Sequence, residues 1–68
     1  MARFEQFEIW EFNHERWDFI ASFKDFDVAH AMARTRRYRV RLMQVGYDNG
    51  KAVDQQVLTE IGATRNEP

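Results

Sequence analysis

Over residues 4–12 (Phe-Glu-Gln-Phe-Glu-Ile-Trp-Glu-Phe) apolar side chains recur among acidic ones in the manner of an aromatic strand. The polar link Asn13-His14-Glu15 follows. Residues 16–23 then alternate cleanly, with Trp17, Phe19, Ala21 and Phe23 on one side. Period-two alternation is the mark of a half-buried strand, so the two runs predict a β-hairpin. The period changes after Asp25. Phe26, Ala29, Met32 and Ala33 fall on one face of a helix running to about Arg37. Asp25 is placed to cap its start, and Asp27 at the first turn and Arg34, Arg36 and Arg37 at the last suit its dipole. Residues 38–47 return to an alternating, β-branched pattern. Asn49-Gly50 suits both left-handed positions of a type I′ turn, so residues 51–61 read as the returning strand. The predicted register sets Asp48 opposite Lys51, Leu42 opposite Val57, Val40 opposite Thr59 and Arg39 opposite Glu60. The expected fold is α+β, in the order ββαββ: a single domain over 1–61 with a frayed polar tail at 62–68. Strand order stays open, because the second and third strands could be neighbours or the hairpins could pair by their outer edges.

This pattern has too much apolar surface for one helix to cover. Pairing Phe12 with Trp17 places Trp10, Phe12, Trp17, Phe19, Ala21 and Phe23 on one face, against Phe7, Ile9 and Ile20 on the other. In the second hairpin Val40, Leu42, Val53, Val57 and Ile61 oppose Met43, Val45, Tyr47 and Leu58, the latter set lying among Arg39, Arg41, Asp54 and Glu60. One helix shelters one face. Large exposed apolar patches mark interaction sites, so Trp10, Phe12, Trp17 and Phe19 are the candidate partner-binding residues, and the expected partner is a second copy or another protein.

Length sharpens that expectation. A chain of 68 residues buries only about 60% of its unfolded surface, and below about 70–80 residues a core needs a staple or a partner. No disulfide can serve, since there is no cysteine. No apolar run exceeds three residues and the first 25 are rich in acids, so no membrane span or export signal is expected and the cytoplasm is the expected compartment.

The net charge of −1 conceals a bipolar chain, net −4 over 1–27, +5 over 28–51 and −2 over 52–68. The basic part centres on Arg34, Arg36, Arg37, Arg39 and Arg41, with Tyr38 among them. Arginine forks fit phosphate oxygens and aromatic rings stack on bases, which makes this segment a candidate nucleic-acid-binding site. The competing and favoured expectation is internal neutralisation by the acidic first hairpin and Glu60. His14 and His30 lack further ligands at metal spacing, so both read as surface histidines and no metal or cofactor is expected. Glu5, Glu11 and Asp18 read as a solvated or partner-facing rim. Ser22 has no histidine near it in sequence, and the chain is expected to be too small for a ligand pocket of about 300–1,000 Å³. Enzymatic activity is therefore not expected, and no catalytic residue is named.

The segment Ile20-Ala21-Ser22-Phe23-Lys24-Asp25, the alanines Ala29, Ala31 and Ala33, and Tyr38-Arg39-Val40-Arg41-Leu42 together resemble a SPOR repeat. That family binds septal peptidoglycan and is built on a strand, an Ala-rich helix and a strand. The likeness covers about a third of the chain. SPOR domains are exported, and this chain shows no export signal and has a whole additional hairpin. The aromatic first strand and the Ser-Phe-x-Asp-Phe-Asp helix entry are similar to small β-rich accessory subunits of multicomponent oxygenases. Both likenesses are shared supersecondary architecture and carry no function across. The residues themselves point to a small non-enzymatic protein-interaction module, a homodimer or an accessory subunit. The alternative is nucleic-acid binding through the arginine segment.

Overall fold

The alternating runs fold as the hairpins they predict. In the computed structural model, which describes residues 3–62, β1 (Arg3–Asn13) and β2 (Arg16–Phe23) form the first hairpin. β3 (Val40–Asp48) and β4 (Lys51–Ile61) form the second. Between them lies α1 (Phe26–Arg34). The class is α+β in the order ββαββ, with the four strands in one antiparallel sheet ordered β2-β1-β3-β4. The hairpins therefore meet through their first strands, Ile9 opposite Leu42 and Glu11 opposite Val40. The expected tail lies, from residue 63 onward, outside the described residues.

Each turn has the backbone its hairpin needs. Asn49 and Gly50 both take positive φ, 54° and 82°, as a type I′ turn demands. The first hairpin does the same without glycine, since His14 and Glu15 have φ of 52° and 65°.

Three irregularities correct the predicted faces. The register shifts after Ile9 opposite Ala21, so that Trp10 pairs with Phe19 and Ile20 is the extra residue. One inserted residue exchanges the two faces beyond it. Phe12 does face Trp17 and Trp10 does share their side, but Ala21 and Phe23 cross over to join Ile9 and Phe7. In the second hairpin Asp48 faces Lys51 as expected and Tyr47 faces Ala52, after which two shifts move every later pair. Leu42 meets Thr59 rather than Val57, Val40 meets Ile61 rather than Thr59, and Glu60 lies opposite Arg41 rather than Arg39. Val57 thereby moves to the side of Met43, and Asp54 to the other side, opposite Gly46.

The helix is shorter than its pattern suggests. Asp25 Oδ1 accepts from the Asp27 N–H at 2.9 Å and closes the start as expected. The end comes at Arg34, where the Thr35 hydroxyl donates to the Met32 carbonyl at 2.7 Å and the Thr35 and Arg36 N–H groups bond the Met32 and Ala33 carbonyls. These tight closing bonds release Arg36 and Arg37 from the helix. Only Ala29 and Ala33 of the helix are buried, and Phe26 and Met32, expected inside, are 40% and 41% exposed. Two alanines let the helix lie close on the sheet. They form the core with Ile9, Val40 and Leu42, edged by Phe7, Ile20, Phe23 and Ile61.

Candidate partner-binding face

The sheet face away from the helix has no element among the described residues packed on it, and it is built in rows. One row runs Phe19, Trp10, Arg41, Glu60 across the four strands. A second starts with Trp17 and Phe12 and continues to Arg39, whose carbonyl accepts from the Phe12 N–H at 2.8 Å. Further along lie Glu8, Met43 and Val57, and then Phe4 with Tyr47. All four candidate residues, Trp10, Phe12, Trp17 and Phe19, meet on this one face.

Their rings pack against each other in pairs. Trp10 and Phe19 have centroids 5.5 Å apart at 71°, and Phe12 and Trp17 are 5.0 Å apart at 56°. Arginines lie over them: Arg41 Cζ is 4.2 Å from the Trp17 centroid and Arg39 Cζ is 4.6 Å from the Phe12 centroid. Each such contact contributes about 0.5–1 kcal/mol where water reaches it. Glu60 holds both guanidinium groups, with Arg41 Nε at 3.2 Å and Arg39 Nε at 3.5 Å. Trp10, Trp17, Arg41, Met43 and Gln55 enclose a slot of about 200 Å³ between them.

A buried carboxylate sits further along the face. Glu8, 7% exposed, accepts from Trp10 Nε1 at 3.0 Å and from the Tyr47 hydroxyl at 2.5 Å. Those two donors stand in for the water that burial removes. The bond to Glu8, then burial, then the nearby negative charge raise the Tyr47 phenol above its ordinary pKa. Tyr47 also stacks on Phe4, centroids 5.3 Å apart. Glu8 and Tyr47 lie outside the set of candidate residues read from the sequence. The signal is present in β1, where Glu8 and Trp10 are two apart and so share a face.

The arginine segment does not form one surface. Arg36 turns back to Glu11, Nη2 to Oε1 at 3.0 Å, and Glu11 Oε2 also takes the Tyr38 N–H. Glu11 is 5% exposed, so it is no solvated rim residue as expected but a buried acceptor beneath the helix end. Arg39 and Arg41 serve Glu60 and the aromatic rings on the opposite face. Arg37 lies over Tyr38, Cζ to centroid 5.6 Å, and Arg34 ends the helix. His14 is an exposed turn residue as expected, whereas His30 is half-buried and stacked on Phe26 at 5.6 Å.

Open hollows of ligand volume exist, contrary to expectation, one along the outer side of the helix and one on the sheet surface. One of about 490 Å³ lies open on the outer side of the helix against Val28, Ala31, Met32 and Thr35. Another, of about 330 Å³, lies against Glu5, Gln44, Asp54 and Gln56. There Glu5 takes a bond from Gln44 at 2.8 Å and Asp54 pairs with Arg3 at 2.9 Å. Among the described residues no group of three or more metal-ligating side chains converges, and no helix is long and apolar enough to cross a membrane. No protein-family model, no curated protein and no solved structure matches this chain.

Proposed function

We propose that the chain is a small non-enzymatic protein-interaction module of the cytoplasm, a subunit whose open sheet face is covered by another protein surface. The observation that carries this reading is the gathering of Trp10, Phe12, Trp17 and Phe19, with Arg41 over Trp17, on the face opposite the helix. Tryptophan, phenylalanine, tyrosine, methionine and arginine are the residues enriched at interface centres. The modest core, in which two of the five clustered side chains are alanines, supports the same reading, since it leaves a chain of this size short of burial.

Docking by a face is better supported than docking by an edge. β2 carries an inserted residue at Ile20 and β4 carries two shifts, between Leu42/Met43 and between Gly46/Tyr47 of its partner strand. Bulges are how sheets discourage further strands from adding on. The ion pairs of Arg36 with Glu11 and of Arg39 and Arg41 with Glu60 favour the protein reading over binding of nucleic-acid phosphates.

Dye binding and light scattering test the proposal. At micromolar concentration the chain is expected either to be associated or to bind an apolar dye, with the tryptophan emission responding. A stable monomer that binds no dye would overturn it.

A further inference from the structure

We infer that the turn joining β3 to β4 is a site of spontaneous covalent modification, at which Asn49 converts through a cyclic imide with the Gly50 nitrogen into aspartate and isoaspartate.

Ring closure needs a nitrogen without a bulky flank, and Gly50 supplies it. The residue has no side chain, and a Cβ placed there would meet nothing within 4 Å. The same nitrogen must be able to give up its proton. A two-residue turn ties together its flanking residues, here Asp48 and Lys51, which leaves the exposed Gly50 N–H outside the ladder. The carboxamide must also be free to swing onto that nitrogen. The Asn49 side chain is exposed and holds no hydrogen bond among the described residues. Asn13 is the contrast. Its Oδ1 is buried, and the next residue is His14, whose Cβ crowds the nitrogen.

The chemistry balances with water alone. Hydroxide takes the Gly50 amide proton, and the nitrogen forms a bond to Asn49 Cγ. The Cγ–Nδ2 bond breaks, and Nδ2 takes a proton from water and leaves as ammonia. Water then opens the imide. Attack at Cγ restores the original main chain with an aspartate at position 49. Attack at the main-chain carbonyl of residue 49 leaves Gly50 joined through Cγ, which is isoaspartate. Either product adds one negative charge to a chain whose net charge is −1.

The fold tells the two products apart. Asp-Gly suits a type I′ turn as Asn-Gly does, so the aspartyl form keeps the hairpin. The isoaspartyl form threads an extra carbon into the main chain of a two-residue loop, and loop length sets hairpin register. The pairing of Asp48 with Lys51 is then lost, and the adjoining part of β4, where residues 51–56 are exposed, frays with it.

Storage of the full chain at body temperature and mildly alkaline pH, followed by peptide mapping, tests this. Asn49 should convert ahead of Asn13, with the mass gain of an amide-to-acid exchange and with labelling by an isoaspartate-specific carboxyl methyltransferase. Relaxing an exposed turn is a local opening, so the native rate should stay within about a hundredfold of the rate in concentrated urea. A reaction that waits for global unfolding would be slowed about a thousandfold or more. Asn49→Gly, whose Gly-Gly turn keeps the left-handed geometry, should abolish conversion at this turn. Amide exchange at Lys51 and Ala52 should quicken in the isoaspartyl fraction and match wild type in the aspartyl one. Native protection beyond about a hundredfold overturns the inference, as does conversion of Asn13 ahead of Asn49. Exchange that quickens in both fractions or in neither overturns the fraying assigned to isoaspartate.

Discussion

Arg36, just past the end of the helix, reaches Glu11 near the end of β1 and donates to its carboxylate at 3.0 Å. The pair is unequal, since the Glu11 side chain is 7% exposed and that of Arg36 is 33% exposed. The cost of breaking it therefore depends on which side is cut. Arg36→Ala strands a buried carboxylate with the Tyr38 N–H as a remaining donor and should cost about 2–4 kcal/mol. Glu11→Gln leaves an arginine that can turn to water and keeps an acceptor for Tyr38, so about 1 kcal/mol is expected. Urea unfolding of the two variants checks the order.

Tyr47 should give the fold an alkaline limit. Its phenol holds its proton more tightly when folded, because it donates to Glu8. A folded pKa above the unfolded value contributes stability that is complete below about pH 10 and is lost as pH rises through the folded value. Wild-type stability should therefore fall above about pH 10. Tyr47→Phe should flatten that fall while lowering stability at neutral pH by about 1 kcal/mol, for the donor Glu8 loses. Denaturation series at several alkaline pH values read both effects.

Both turns should favour glycine at their left-handed second position. Gly50 has φ of 82°, and a Cβ added there would meet nothing within 4 Å. Gly50→Ala should thus cost about 1 kcal/mol from backbone strain alone. Glu15 occupies the same left-handed region at 65° with a side chain that disfavours it, and Glu15→Gly should gain about 0.5–1 kcal/mol. Thermal unfolding would show the midpoint moving down in one variant and up in the other.

Ala33 has no exposed surface and sits between helix and sheet. Ala33→Leu should lift the helix and cost about 1–3 kcal/mol, whereas Met32→Leu, one residue earlier and 41% exposed, should stay within about 0.5 kcal/mol. Denaturant midpoints of the two variants test whether the close approach depends on the small side chain.

What the residues disclose about this fold divides along a physical line. Alternation, the Asp25 cap and the Asn49-Gly50 turn are local, and the strands and helix they predict are present with β2 and β4 at the predicted bounds. The pairing of Phe12 with Trp17, and with it the gathering of four aromatic residues, follows from a short loop and is legible too. The bulges are not. An inserted residue such as Ile20 leaves no gap in an apolar run, because both faces of the sheet accept apolar side chains. It nevertheless decides where Ala21 and Phe23 point. Strand order is equally silent in a local pattern, since it depends on which edges the helix brings together. The fate of the arginines is half legible: charge balance foretells that they are neutralised internally, but the specific partner Glu11 comes from the early end of the helix.

The strand order has a consequence for the birth of the protein. β1 is an interior strand, and Phe4 finds its neighbour Tyr47 across β3, about two thirds of the way along the chain. During synthesis the first hairpin must wait, its aromatic side chains unsheltered, until β3 emerges beside it. Long-range pairing of this kind slows folding and leaves sticky strands available to other nascent chains. Until that pairing is made, the open edge of β1 is the part of the chain most exposed to mispairing.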